Sequence, residues 1–128
     1  MKIIPYATQW IDEQDRAVVS EALKSGYLTQ GPKIREFEEK VANFCGAKYA
    51  VALNSGTSAL HAACFAAAIS PGDEVITSSI TFVASANCIL YCGGKPVFAD
   101  IDENDINIDI KEIEKRITPN TTAIIPVH

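Results

Sequence analysis

The chain has 128 residues, of which 48% are apolar and 21% charged, and its net charge is -5. This composition is typical of a globular protein and excludes a disordered or fibrous chain. The negative charge argues against nucleic acid and against an anionic membrane as partners, because both are bound mainly through basic patches. We expect a cytoplasmic protein, since no segment has the length and apolar character of a signal peptide or a membrane span.

Residues 1–46 contain two predicted helices. The first begins after an N-cap at Asp12 and ends at Gly26, which is the predicted C-cap. The second begins at Pro32 and ends at Gly46, and its apolar residues recur three or four positions apart. The loop between the two helices is rich in residues that form turns.

Strands and helices alternate from residue 47 onward. Strands are predicted at residues 49–53, 74–77, 96–99 and 123–127, and helices at residues 56–68, 82–91 and 110–117. The predicted strands are continuous apolar runs, which indicates a sheet that is covered on both faces. We therefore predict an α/β fold with a mostly parallel sheet and helices on both faces. Because no closing helix follows the last strand, we expect a partial domain whose sheet continues beyond residue 128.

The cysteines and the acidic residues give no sign of a metal site. The four cysteines are Cys45, Cys64, Cys88 and Cys92, and none of them forms a CxxC pair. We expect all four to be small buried hydrophobic residues in a reducing compartment. The acidic run 100–105 has Asp105 where a calcium loop needs glycine and Lys111 where it needs glutamate, so we expect a solvated loop.

The segment 54–60, with the sequence NSGTSAL, lies between a predicted strand and a predicted helix. The start of a helix offers unpaired backbone N–H groups and the positive end of the helix dipole, so this segment is suited to bind phosphate. Gly56 lets an anion approach the backbone, and Ser55, Thr57 and Ser58 add hydroxyl groups. No lysine follows the glycine, so a dinucleotide or ATP site has little support. The alternative is that Ser55 or Thr57 only caps the helix.

Further motifs follow one another along the whole chain. They are Tyr6, Leu28–Pro32, Phe37-Glu38, Asn54–His61, Ile80–Asn87, Gly94–Phe98 and Asn107–Asp109. Together they resemble the DegT/DnrJ/EryC1/StrS family of sugar-nucleotide aminotransferases, which are pyridoxal 5'-phosphate (PLP) enzymes of fold type I. Within the family, the residues are similar to the transaminases of the pseudaminic-acid pathway. The resemblance implies that residues 1–46 supply N-terminal helices and a substrate loop, and that residues 47–128 begin the large PLP-binding domain.

The resemblance also implies a cofactor site. Gly56, Thr57 and Ser58 would hold the phosphate of PLP through backbone N–H and hydroxyl groups. Phe82 would place its ring against the pyridine face of the cofactor, and the alternative for this residue is ordinary core packing.

A substrate site is implied in the same way. The residues that would line it are Tyr6, Gly26, Tyr27, Leu28, Thr29 and Ser55. The alternative is that the loop 26–29 is only a turn that links two helices. His61 and Asn87 lie further along their helices, and we expect both to be structural.

No catalytic residue is predicted in this chain. The family needs a lysine in Schiff-base linkage to the cofactor, an aspartate beneath the pyridine nitrogen and a polar partner for the ring hydroxyl. In the family these follow a Pro-Val-His-like segment such as residues 126–128, and none of the lysines here lies in a matching motif. We therefore expect the N-terminal portion of a longer enzyme, inactive by itself.

For the intact protein, the resemblance implies transfer of an amino group from an amino-acid donor, glutamate, to a keto group on a nucleotide-linked deoxysugar. The substrate would be of the UDP-4-keto-6-deoxy-N-acetylhexosamine type, in surface-polysaccharide or nonulosonic-acid biosynthesis, and the full-length enzyme a homodimer. One alternative is a sugar dehydratase of the same family, with histidine in place of the lysine. A second alternative is a non-catalytic α/β module that binds a phosphate ligand.

Overall fold

The computed structural model describes residues 3–5 and 7–127, and these form five helices and three strands. In chain order the elements are α1 (Glu13–Lys24), α2 (Pro32–Cys45), α3 (Gly56–Ala66), β1 (Glu74–Ser78), α4 (Ala84–Tyr91), β2 (Lys95–Ala99), α5 (Ile110–Arg116) and β3 (Thr121–Ile125). The chain divides into two compact units, Met1–Ala52 and Leu53–His128. Within the described ranges, none of the helices is long and apolar enough to cross a membrane.

Helix α1 begins at a complete capping box. The Asp12 carboxylate accepts the backbone N–H groups of Gln14 and Asp15 at 2.8 and 3.0 Å, and the Asp15 carboxylate accepts the N–H of Asp12 at 3.0 Å. These bonds pair backbone N–H groups at the start of the helix, which have no carbonyl partner in a preceding turn. The prediction that Asp12 is the N-cap is therefore confirmed.

The ends of the first two helices depend on different residues. Ser25, not Gly26, is the C-cap of α1, and its N–H and hydroxyl donate to the carbonyl of Ala22 at 3.1 and 2.7 Å. Helix α2 begins with Pro32 and ends at Gly46, whose φ of 64° lies in the left-handed region that favours glycine. The predicted end of α2 is confirmed. The prediction of Gly26 as the C-cap of α1 is wrong, because Ser25 already bonds to the Ala22 carbonyl through its N–H and its hydroxyl.

The three strands form a parallel sheet in the order β2-β1-β3. In the central strand, Val75, Ile76, Thr77 and Ser78 are all 0% exposed. Successive side chains of a strand point to opposite faces, so both faces of β1 are covered. The sheet is therefore of the kind that the apolar runs predict.

Helices α3 and α4 pack on one face of the sheet. The core cluster there joins Cys64 of α3 and Cys88 and Ile89 of α4 to Val75 of β1 and to Ile69. The hydrophobic core of the second unit is thus formed by consecutive β and α elements, as is usual in a sheet with crossover helices.

The cysteines do not all have the same environment. Cys64 and Cys88 are buried, and burial raises the pKa of the Cys64 thiol to about 11, with Cys88 beside it adding to the effect. Both therefore act as small hydrophobic residues, and Cys92 is half-buried against the same cluster. Cys45 is exposed at the end of α2, so the expectation that all four cysteines are buried is wrong for this one.

Residues 49–53 do not form the predicted strand. Both edges of β1 are taken by β2 and β3, and in the part of the chain that the structure describes no strand pairs with this segment. The N–H of Ala52 instead donates to the Glu38 carboxylate at 2.8 Å, and Tyr49 and Val51 are 75% and 77% exposed. An apolar run becomes a strand only when its backbone groups find a partner strand.

A polar cluster connects the beginnings of the three strands. The Glu74 carboxylate accepts hydrogen bonds from the Lys95 ammonium at 2.8 Å and from the Thr118 hydroxyl at 2.7 Å. These two donors hold the pKa of Glu74 below its ordinary value. One side chain therefore links β1 to β2 and to the segment that leads into β3.

Candidate functional site

Helix α3 begins at Gly56, inside the segment 54–60, and Ser55 precedes it. The Ser55 hydroxyl oxygen accepts the N–H of Ser58 at 3.1 Å, and the hydroxyl donates to Ser58 Oγ at 3.1 Å. The Ser55 carbonyl accepts the N–H of Ala59 at 3.0 Å. Ser55 is therefore the N-cap of α3, the role that the capping alternative predicted for Ser55 or Thr57. Its contact with a substrate stays a prediction.

The N–H groups of Gly56 and Thr57 remain available for an anion. Among the described residues, neither group has a hydrogen-bond partner, and a Cβ placed on Gly56 would meet nothing within 4 Å. The first turn of α3 contains no acidic side chain that would repel a negative charge. The helix dipole and the two N–H groups therefore suit a phosphate at this corner.

An open cavity of about 690 Å³ adjoins this corner. It is lined by Gly56, Thr57, Ala59, Leu60, Ala63, Phe82 and Ala84. Apart from the two N–H groups and the Thr57 hydroxyl, the wall is apolar, so it suits a flat ring that carries an anionic group at one end. The structure thus places Gly56 and Thr57, predicted for the phosphate, and Phe82, predicted for the pyridine face, around one cavity. Ser58, the third residue predicted for the phosphate, does not line this cavity.

Phe82 lies in a turn before α4. The helix starts at Ala84, and the N–H of Ser85 donates to the Phe82 carbonyl at 3.0 Å. The prediction that the helix begins at Phe82 is therefore wrong, because this bond to the third residue back belongs to a turn. The Phe82 side chain is 73% exposed, so it is not part of the core of the described chain.

A hydrogen bond between two side chains braces this turn, and sequence reasoning missed it. Thr81 Oγ1 and Ser85 Oγ lie 3.1 Å apart, and Ser85 is only 6% exposed. The one signal in the sequence is a pair of hydroxyl residues four positions apart on either side of an aromatic residue. Such a pair is common at helix starts, so it could not be recognised without coordinates.

The predicted substrate loop belongs to the first unit, and all four of its residues, 26–29, are exposed. The Ser25 hydroxyl oxygen accepts the N–H of Tyr27 at 3.3 Å. Gly31 has a φ of 93°, and a Cβ at this position would lie 2.8 Å from Cβ of Tyr27. Ser25 and Gly31 thus define the shape of the loop. Tyr6, the remaining predicted substrate residue, lies outside the described residues.

Other polar residues of the second unit make local contacts. The rings of His61 and Tyr91 meet edge to face with centroids 5.2 Å apart, which joins α3 to α4. The Asp102 carboxylate accepts two hydrogen bonds from Asn104, which lower its pKa and close the acidic loop on itself. Across the described ranges, no three His, Cys, Asp or Glu side chains are grouped so that they could hold a metal ion.

Comparison with known proteins identifies the family. A family model for the DegT/DnrJ/EryC1/StrS aminotransferases matches residues 9–128. The chain belongs to this family. It is 51% identical over 125 residues to the spore coat polysaccharide biosynthesis protein SpsC of Bacillus subtilis, a match that covers 98% of the chain and 32% of SpsC. The chain therefore spans about a third of the length of this relative.

Solved structures of the family have the same fold. Spr1654 from Streptococcus pneumoniae in its PLP form gives a TM-score of 0.86 at 35% identity, with 94% of this chain and 31% of that chain covered. A GDP-4-keto-6-deoxymannose-3-dehydratase with a trapped PLP-glutamate geminal diamine gives 0.86 at 28%, with 95% and 33% covered. The predicted α/β fold, that of a fold type I PLP-dependent transferase, is confirmed.

Proposed function

We propose that this chain provides the phosphate- and ring-binding wall of a PLP-dependent aminotransferase that acts on nucleotide-linked keto-deoxysugars. The observation that supports this proposal is the single cavity lined by Gly56, Thr57 and Phe82. Membership of an aminotransferase family supplies the reaction class. Further support comes from the start of α3, where the N–H groups of Gly56 and Thr57 have no hydrogen-bond partner among the described residues and adjoin an exposed aromatic ring.

Each residue of the wall has a separate task. The N–H groups of Gly56 and Thr57 donate to phosphate oxygens, and the Thr57 and Ser58 hydroxyls donate to the same group. Phe82 packs against the flat face of the pyridine ring and excludes water from it. When bound, PLP supplies an electron-withdrawing ring that stabilises the negative charge formed next to the amino nitrogen. The residues of this chain bind and orient it.

The proposal extends to the substrate. The loop 26–29, together with Tyr6 and Ser55, would contact a sugar nucleotide of the UDP-4-keto-6-deoxy-N-acetylhexosamine type, and glutamate would be the amino donor. The biosynthetic setting would be surface polysaccharide or nonulosonic acid, of which pseudaminic acid is one. The enzyme would be a cytoplasmic homodimer, which sedimentation of the protein as its gene encodes it can test.

The cofactor assignment is tested by two ligands that differ only in the phosphate. The protein as its gene encodes it is freed of cofactor and titrated with PLP and with pyridoxal. Thr57→Val keeps the shape of the side chain but removes a hydroxyl donor, so PLP affinity should fall about tenfold or more and pyridoxal affinity should not change. Thr122 of β3 carries an exposed hydroxyl, so Thr122→Val is the matched control. It should leave the affinities for PLP and for pyridoxal unchanged.

Two results would overturn the assignment. One is a wild-type protein that binds PLP no better than pyridoxal. The other is a Thr57→Val variant that loses affinity for both ligands to the same extent, since the hydroxyl would then not serve the phosphate. Residues 1–128 expressed alone should show no glutamate-dependent amination of a 4-keto sugar nucleotide, and turnover by them would contradict that part of the proposal.

A sugar dehydratase is the second candidate, and the structural similarity to GDP-4-keto-6-deoxymannose-3-dehydratase favours keeping it. The same wall would serve, because both reactions need PLP held by its phosphate and covered on one face. The products distinguish the two. An aminotransferase converts a 4-keto sugar nucleotide and glutamate into an amino sugar and 2-oxoglutarate, whereas a dehydratase removes a hydroxyl group from the sugar as water.

A further inference from the structure

We propose that Thr81 and Ser85 are positioning residues that hold Phe82 in place at the cavity wall. This inference rests on the proposed function, since it assigns the ring of Phe82 to a bound cofactor. The contact between Thr81 and Ser85 is not itself part of the cavity lining. Phe82 and Ala84 line the cavity, whereas Thr81 and Ser85 do not. The two hydroxyl groups would therefore act through Phe82.

Ser85 makes two hydrogen bonds to the turn, one to Thr81, which precedes Phe82, and one to the backbone of Phe82 itself. Its hydroxyl lies 3.1 Å from Thr81 Oγ1, and its N–H donates to the Phe82 carbonyl at 3.0 Å. Ser85 is 6% exposed and Thr81 is half-buried, so water does not replace this bond easily. A buried hydroxyl that loses its partner keeps the cost of desolvation, which makes the pair a specific constraint on the backbone around Phe82.

The bond between Thr81 and Ser85 does not serve as an ordinary helix cap. The N-cap of α4 is Val83, which offers no side-chain hydrogen bond. The Thr81 hydroxyl meets another hydroxyl and not a backbone N–H of the first turn. The pair therefore fixes the turn itself, and the turn carries the aromatic ring.

The other end of the turn is held independently. The N–H of Ser79 donates to the Ala99 carbonyl at 3.0 Å, and the Ser79 hydroxyl donates to the Asp100 carboxylate at 3.2 Å. The Ser78 hydroxyl oxygen accepts the N–H of Ile80 at 3.3 Å. Residues 78–80 are held by these bonds, and the Val83 carbonyl accepts the N–H groups of Ala86 and Asn87. The Thr81–Ser85 bond acts on the two residues between them, Thr81 and Phe82.

A fixed turn matters because Phe82 is exposed. An exposed ring must be ordered when a ligand packs on it, and the loss of its freedom weakens binding. A turn that is held before the ligand arrives reduces this loss and sets the angle of the ring. The Thr81–Ser85 bond should thus affect how tightly and how rigidly the pyridine ring is held, without affecting the phosphate end.

The test compares two changes at one position in the protein as its gene encodes it. Thr81→Val keeps the branched shape but removes the hydroxyl, and Thr81→Ser keeps the hydroxyl but removes the methyl group. We expect Thr81→Val to weaken PLP binding about three- to tenfold and to reduce the visible circular dichroism of the bound cofactor. Thr81→Ser should restore both values to those of the wild type.

Thr77→Val is the control for a merely structural effect. The Thr77 hydroxyl is buried and donates to the Ile125 carbonyl of β3 at 3.0 Å, so it forms no part of the Thr81–Ser85 bond. Its loss should lower the melting temperature and leave PLP affinity and circular dichroism unchanged. If Thr77→Val and Thr81→Val change the cofactor signals alike, the positioning role is overturned, because general destabilisation then explains both.

A last variant separates this inference from the proposed function. Phe82→Leu should lower the circular dichroism of bound PLP if the ring contacts the cofactor. If Phe82→Leu has this effect and Thr81→Val does not, the positioning inference fails and the proposed function stands. If the wild-type protein binds no PLP, both fail.

Discussion

The two units of the chain differ in where their apolar side chains lie. In the second unit, strand β1 is buried on both faces and α3 and α4 contribute a shared core. Among the described residues of the first unit, only Ala42 is buried, whereas Trp10 and Phe44 are 90% and 92% exposed. The second unit therefore has a hydrophobic core of its own, and the first unit consists of amphipathic helices whose apolar sides are open.

This difference explains why the candidate cofactor wall belongs to the second unit. The helix start at Gly56 and the turn that carries Phe82 are both attached to elements that share the core. Groups that bind a ligand tightly need a rigid support, and close packing provides it. The loop 26–29 has no such core beneath it within its own unit and depends on local hydrogen bonds for its shape.

The largest contrast is expected from a matched pair of isoleucines in helices. Ile89→Ala removes a side chain that is 0% exposed and should destabilise the protein by about 2–5 kcal/mol. Ile34→Ala, at a side chain that is 41% exposed in α2, should cost less than about 1 kcal/mol. Urea unfolding of both variants measures the difference, and equal losses would show that the first unit has a core after all.

A smaller contrast is expected from a matched pair of glycines. A Cβ on Gly94 would lie 2.7 Å from Ile69 Cγ2 and 3.0 Å from Ile89 Cγ2, so Gly94→Ala should cost about 1–3 kcal/mol through overpacking. A Cβ on Gly26 would meet nothing within 4 Å, so Gly26→Ala should change stability by less than about 1 kcal/mol. Thermal unfolding compares the two. A tolerated Gly94→Ala would mean that the core of the second unit is loosely packed.

The smallest contrast concerns two carboxylates and the pH. Hydrogen bonds from Lys40 and Lys33 lower the pKa of Glu36 to about 2, and those from Lys95 and Thr118 lower the pKa of Glu74. A carboxyl pKa that is lowered in the folded state adds stability at pH values above 4.5, the ordinary pKa of the group. This stability is lost as the pH falls from 4.5 through the lowered pKa.

Glu74→Gln should remove more of the acid sensitivity than Glu36→Gln does. Glu74 connects separate strands, whereas the partners of Glu36 lie on the same exposed helix, where salt screens the pairs. Unfolding midpoints between neutral pH and about pH 3, at low and high salt, measure both effects. A Glu36→Gln effect that is larger and independent of salt would reverse the comparison.

Most of the second unit could be predicted from the sequence. The continuous apolar runs around Val75, Val97 and Ile124 do form parallel strands, because each finds a neighbour in the sheet. The run at residues 49–53 is also apolar but forms no strand, since it lacks a partner among the described residues. Composition reports how well a segment would fit a sheet but not whether an edge is available to it.

The candidate site was predictable at the level of the chemical groups. Gly56, Thr57 and Phe82 could be named because their motifs resemble a family, and the coordinates place them around one cavity. The bond between Thr81 and Ser85 could not be foreseen, because it depends on a turn that precedes α4, and α4 starts two residues later than predicted. Contacts of this kind depend on backbone angles that a residue pattern does not contain.

Strand β1 is covered above and below and has a neighbour along each side. Its amide protons become accessible to solvent only after β2 or β3 has detached from the sheet. They should therefore be the last in the chain to exchange with deuterium. The turn that bears the aromatic ring starts directly from this strand. Fluctuations that open β3 thus leave its attachment in place, whereas opening of β2 would also break the bond between the Ser79 N–H and the Ala99 carbonyl.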